Sequence, residues 1–281
     1  MEQIGSNQSF GGQQLRFKHT SNTLNCEMVF SVYLPPQASD SNAKLPTLFW
    51  LSGLTCTDEN FVQKAGAQQY AAKEGVIIIA PDTSPRGEDV PDDAEKAYDF
   101  GLGAGFYVNA TQPPWNTHYR MHDYIVEELY QLVLAHIESV DAERIGIFGH
   151  SMGGHGALTL AFQHTDRFKS VSAFSPIVSP MTCPWGKKAL SGYLGNDTKT
   201  WRTYDACELT REVKVHLPVL VDQGTADDFL AEQLKTDLLI AASQEVAYPM
   251  TIRMQEGYDH SYFFIASFIG EHIAFHKQAL T

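Results

Sequence analysis

One serine in this chain sits where a nucleophile would be needed. In Gly149-His150-Ser151-Met152-Gly153-Gly154, Gly149, Ser151 and Gly153 form G-x-S-x-G. The preceding Arg144-Ile145-Gly146-Ile147-Phe148 is a short apolar run that reads as a buried parallel strand. The following Ala157-Leu158-Thr159-Leu160-Ala161-Phe162 reads as a helix. A serine on so sharp a strand-to-helix turn is held strained, with its hydroxyl raised above the sheet. Glycine is needed on both sides, because a β-carbon there would strike the neighbouring strand or helix. The helix N-terminus behind the serine favours developing negative charge. The bare string also occurs as a glycine-rich turn; the strand and helix around it favour a nucleophile.

A serine hydroxyl needs a base within reach, and the base needs an acid to fix its tautomer. In the order serine, acid, histidine, each partner sits on a loop beyond a strand. The strand predicted at 217–222 is followed by Gln223-Gly224-Thr225-Ala226-Asp227-Asp228. The strand predicted at 250–254 is followed by Gln255-Glu256-Gly257-Tyr258-Asp259-His260-Ser261. Of eleven histidines, only His260 lies just past the last strand. His150 and His155 suit local packing. For the acid, Asp222 lies at a strand end, and Asp227 and Asp228 lie in the loop. Asp227 is favoured because it follows the Gly224 turn, although either loop aspartate could cap the next helix. An oxyanion would need two backbone N–H groups, for which Met152 and Leu54 are the candidates. Gly53 frees the turn before Leu54, and no H-G-G-G string is present. Cys56 beside this loop is either a redox-sensitive thiol or a small buried hydrophobe.

The elements that must position these groups alternate strand and helix. Residues 15–19 and 27–34 read as an antiparallel N-terminal pair, and 48–52 and 76–82 as buried strands around a helix at 63–74. A helix begins near Tyr119, with Met121, Ile125, Leu129, Leu132, Val133 and Ile137 at helical spacing. Strands at 171–175, 217–222 and 250–254 follow, then helices at 229–242 and 262–276. The pattern predicts an α/β fold over 1–281 as one domain, with a mostly parallel sheet covered by helices on both faces. Two stretches, 84–116 and 176–211, read as irregular insertions. Phe100, Phe106, Tyr107 and Trp115 argue that the first is ordered and packs near the site.

Composition narrows the partners. Of 281 residues, 43% are hydrophobic and 19% charged, and the formal net charge is −13. That charge argues against nucleic acid and anionic membrane surfaces. No apolar run approaches the ~20 residues a membrane span needs. The first residues lack the basic and apolar regions of an export signal, so Asn109-Ala110-Thr111 reads as loop rather than glycosylation site. Cys26, Cys56, Cys183 and Cys207 lie far apart without C-x-x-C, which suits a reducing cytoplasm and argues against zinc.

Several longer stretches resemble the S-formylglutathione hydrolases, the esterase D family of the α/β-hydrolase superfamily. They are Trp50-Leu51-Ser52-Gly53-Leu54-Thr55-Cys56-Thr57, Gly105-Phe106-Tyr107-Val108-Asn109-Ala110-Thr111, the serine turn, Cys183-Pro184-Trp185-Gly186-Lys187-Lys188, Ser191-Gly192-Tyr193-Leu194-Gly195, and Gln255 to Tyr262. The resemblance implies an α/β-hydrolase fold and a cytosolic, metal-free and usually dimeric enzyme. Such an enzyme would hydrolyse S-formylglutathione to formate and glutathione in formaldehyde detoxification, and cleave short esters besides. It places nucleophile, acid and base on Ser151, Asp227 and His260, and the oxyanion donors on Leu54 and Met152. Ala226 departs from relatives that carry another aspartate there. So small an acyl group predicts a narrow pocket, with Trp185 and Tyr107 as candidate walls. The carboxylates of glutathione would need local cations, for which Lys187 and Lys188 are candidates. The rival readings are a general short-chain esterase, an acyltransferase that excludes water, and a noncatalytic binding protein, which a missing triad member would favour.

Overall fold

The computed structural model describes residues 1–281, and the apolar runs of the sequence become strands buried from both sides. β1 (Glu2–Ser9), β2 (Gly12–Ser21) and β3 (Cys26–Leu34) are followed by β4 (Leu45–Leu51), α1 (Asp58–Lys64), α2 (Ala67–Glu74) and β5 (Ile77–Pro81). After a long loop come α3 (Met121–Asp123), a wider π-helical turn at Tyr124–Leu129, and α4 (Tyr130–His136). Then follow β6 (Val140–His150), α5 (Met152–Gln163), β7 (Val171–Phe174), α6 (Pro184–Leu194) and α7 (Ala206–Glu212). β8 (Val219–Gly224), α8 (Thr236–Glu245), β9 (Thr251–Gln255) and α9 (Tyr262–Ala279) complete the chain.

The nine strands form one sheet in the order β1-β2-β3-β5-β4-β6-β7-β8-β9. From β5 to β9 all neighbours are parallel, while β1, β2 and β3 join antiparallel at one edge. Alternate residues of each central strand enter different cores. Phe49 and Leu51 of β4 pack with the helices of one face, Leu48 and Trp50 with α1, α2 and α9 on the other. A strand covered on both sides has no polar face to show, hence its near-continuous apolar sequence.

Three expectations need correction. The antiparallel pair is a trio, because the mostly exposed β1 pairs with β2. Its residues, EQIGSNQS, bury almost nothing, so backbone pairing rather than apolar alternation defines it. The helix at 63–74 is two helices, broken at Gly66, whose φ of 64° is left-handed. The insertion at 176–211 is not irregular. α6 starts at Pro184 behind a Cys183 cap, and α7 is capped by Asp205, whose carboxylate accepts from the Cys207 and Glu208 amides. The loop at 84–116 does lack long elements yet is packed, with Phe100, Phe106 and Tyr107 buried.

A buried polar chain ties β7 and β8 to α9. Asp222 accepts from His272 Nε2 at 3.1 Å, from Gln255 Nε2 at 3.1 Å, and twice from Arg253 at 2.6 and 2.5 Å. Burial alone would raise the Asp222 carboxyl, but the bonds from His272 and Arg253 outweigh it and bring it down to about 2. The carboxylate can only accept, so His272 carries its proton on Nε2, and every bond beyond is fixed in sense. Ser172 donates to His272 Nδ1 at 2.8 Å, His276 Nε2 donates to Ser172 at 2.8 Å, and Ser170 donates to His276 Nδ1 at 2.7 Å.

These histidines predict acid sensitivity. Burial lowers His150, His155, His272 and His276 below their usual 6.5, His155 to about 4. Unfolding releases neutral imidazoles that take up protons below pH 6.5, so stability is lost as pH falls from there. His155, which stays neutral in the fold down to about pH 4, contributes up to about 1.4 kcal/mol per pH unit, and the other three act in the same direction. Urea unfolding at pH 7.0 and 5.5 should therefore show a loss of at least about 1 kcal/mol, the share of His155 alone, and equal values would refute the assignment.

Candidate active site

Ser151 lies between β6 and α5 with φ 58° and ψ −119°, a conformation a side chain rarely adopts. It is held there by its neighbours. The Ser151 amide donates to the Phe174 carbonyl at 2.9 Å, and the Ser151 carbonyl accepts from the His155 and Ile177 amides at 2.9 and 3.3 Å. A β-carbon on Gly149 would lie 2.3 Å from the Gly153 oxygen, and one on Gly153 only 2.0 Å from the Leu51 oxygen. Neither backbone atom can yield, so both glycines are required where the serine turn crosses β4.

Asp227 and His260 come from the loops after β8 and β9. The two loops are stitched together: the Thr225 amide donates to Gln255 and the Ala226 amide to Tyr258, both at 3.0 Å. Across this seam His260 Nδ1 meets Asp227 Oδ2 at 2.6 Å. Asp227 Oδ1 accepts from the Phe229 amide at 2.9 Å, and Gln223 Nε2 reaches Oδ2 at 3.3 Å. Burial would raise the Asp227 carboxyl, but the hydrogen bond and charge of His260 outweigh it, and the group is lowered. An ionised Asp227 requires the proton on Nδ1 and leaves Nε2 as a free base. Of the other candidate acids, Asp228 is exposed, and Asp222 is occupied by Arg253 and His272.

Ser151 and His260 open together into a cavity of about 300 Å³, which Gly53, Leu54, Cys56, Tyr98, Trp185 and Phe229 also line. The Leu54 amide, beside this cavity, donates to no protein acceptor. Met152 begins α5, so its amide belongs to the positive end of that helix. A β-carbon on Gly53 would lie 3.1 Å from Ser151 Cβ, so glycine lets the Leu54 loop approach the serine. The arrangement offers a nucleophile, a base oriented by a buried carboxylate, and two amides for an oxyanion.

Not every residue singled out in the sequence joins them. Trp185 lines the cavity, but Tyr107 does not: it is fully buried, and its hydroxyl donates to the Ser52 carbonyl at 2.9 Å. It braces the loop beneath the site. Lys187 is exposed, and Lys188 is paired with Asp99 at 2.5 Å; neither lines the cavity. Cys56 lines it, yet burial pushes its thiol up, away from the thiolate a reactive cysteine needs. His155 bonds the Phe106 carbonyl at 2.9 Å. His150 packs locally, its ring 4.4 Å from that of His260. Tyr98, Phe229 and Tyr262 also line the cavity, and sequence reasoning passed over them. Their only signal was aromatic character near predicted catalytic loops.

Comparison with known proteins identifies the family. The model of the Esterase family, described as "Putative esterase", matches residues 21–275. An S-formylglutathione hydrolase of Rattus norvegicus is 53% identical over 100% of this chain and 99% of its own. That of Mus musculus is 52% identical with the same coverage. A solved structure of an S-formylglutathione hydrolase from Agrobacterium tumefaciens superposes with a TM-score of 0.96 at 45% identity, covering 100% of both chains. A Staphylococcus aureus serine hydrolase, FphF, shares only the fold, at TM-score 0.75 and 20% identity over 95% of this chain and 98% of its own. The chain belongs to the esterase family of α/β-hydrolases and groups there with the S-formylglutathione hydrolases.

Proposed function

We infer that the chain is a serine thioesterase that hydrolyses S-formylglutathione to formate and glutathione, with side activity on short carboxylic esters. The observation that carries this is end-to-end similarity to the rat S-formylglutathione hydrolase, supported by a cavity that Ser151 and His260 line together, with Asp227 buried behind His260 and bonded to its Nδ1. Ser151 attacks the thioester carbonyl while His260 Nε2 takes its proton, and the oxyanion forms against the Leu54 and Met152 amides. Asp227 stabilises the resulting imidazolium. The C–S bond then breaks, and the departing sulfur takes the proton back from His260; with a thiol pKa near ~8.5 it needs that help less than an alcohol or amine would. His260, again a free base, takes a proton from water as the water attacks formyl-Ser151, then returns it to Ser151 Oγ as the acyl C–O bond breaks and formate leaves.

The wider role we assign is formaldehyde detoxification in the cytoplasm, by a homodimer whose 281 residues act as one domain. Four unpaired cysteines support a reducing compartment, one continuous nine-stranded sheet supports the single domain, and no helix is long and apolar enough to cross a membrane. We expect kcat/KM for S-formylglutathione to exceed that for p-nitrophenyl acetate by at least about a hundredfold, or ~2.7 kcal/mol of differential transition-state binding. Comparable values would leave a general esterase.

A further inference from the structure

One wall of the cavity is a single indole, buried on its inner side and held from outside as well. Trp185 is the second residue of α6, and its ring lies 4.7 Å from that of Phe229, which in turn meets His260 edge-on at 5.0 Å. The Trp185 Nε1–H donates to the hydroxyl of Tyr98 at 3.1 Å, with the two rings perpendicular and 6.2 Å apart. Tyr98 is itself 56% exposed, so burial does not explain why it sits there.

Its neighbours explain the placement. Asp99 pairs with Lys188 at 2.5 Å, and Phe100 packs so closely on Gly192 that a β-carbon there would lie 2.4 Å from the ring. Three consecutive loop residues thus meet α6 at positions 185, 188 and 192, one face of the helix at spacings of three and four. Tyr98 is the end of this seam that reaches the cavity. Lys188, a candidate glutathione contact in the sequence, closes the seam instead.

We propose that Tyr98 is a positioning residue for acyl-chain specificity: its hydroxyl latches the Trp185 indole across the acyl side of the cavity, so that only the smallest acyl groups fit beside Ser151. This rests on the hydrolase reading above, and extends it to what limits the acyl group. Without the latch the indole turns away on its own side-chain torsions, and longer chains enter.

The test keeps the leaving group constant and varies the acyl group, using p-nitrophenyl acetate, butyrate and hexanoate. Tyr98→Phe removes one oxygen from an exposed ring, a change the fold tolerates. The butyrate-to-acetate ratio of kcat/KM should rise about tenfold, equivalent to ~1.4 kcal/mol. Trp185→Ala should raise it further, and adding Tyr98→Phe to Trp185→Ala should change nothing more. An unaltered ratio in Tyr98→Phe, or an equal Tyr98→Phe effect with and without the indole, overturns the proposal. Because the esters need no glutathione, a failure of S-formylglutathione turnover would be seen separately from a failure of the latch.

Discussion

Ser151→Ala is expected to lower kcat for S-formylglutathione by about 10⁵- to 10⁶-fold, the loss typical when the nucleophile of such a triad is removed. The structure gives three reasons for so large an effect. Ser151 alone occupies the strained turn over the cavity, it shares that cavity with His260, and the Leu54 amide beside it has no protein acceptor. The residual rate would come from the two amides and substrate binding. His260→Ala should cost about as much, and the double variant little more, because nucleophile and base act as one unit. Single-turnover kinetics with an active-site titration would check this. Substantial turnover in Ser151→Ala would overturn the mechanism as a whole.

Asp227→Asn should reduce kcat by about 10⁴-fold with little change in KM. The carboxylate amide is the same shape, so the fold survives. Its NH₂ group can, however, face Nδ1 only as a donor, which drives the imidazole proton to Nε2 and removes the base. The 2.6 Å contact with His260 makes this substitution severe. Asp228→Asn, one residue away but exposed, should stay within about twofold of the parent in kcat/KM. If the two variants behaved in the opposite way, Asp227 would be a helix cap and nothing more.

The legible parts of this protein were those where chemistry and period coincide. The parallel strands could be read because both faces are buried, and the serine turn because glycine is demanded twice within five residues. Asp227 was separable from Asp228 only through the Gly224 turn, since both have the same side chain and both adjoin a helix. What escaped was set by contacts distant in sequence. β1 exists because β2 offers it a hydrogen-bonding edge, and α6 and α7 are short helices whose caps are single residues. Tyr107 and Lys188 are aromatic and cationic where an aromatic wall and a cation were sought. Their partners, Ser52 and Asp99, lie 55 and 89 residues away and claim them for the scaffold.

The ordered run from Ser170 through His276, Ser172 and His272 to Asp222 has a consequence for turnover. Each of its hydrogens already faces its one acceptor, and Asp222 has four donors around it. With every donor and acceptor already matched, the run needs no outside partner and can shift only as one piece. It clamps β7, β8 and α9 in one register behind the loops that carry Asp227 and His260. The 2.6 Å contact between those two thus rests on a brace with no loose polar group.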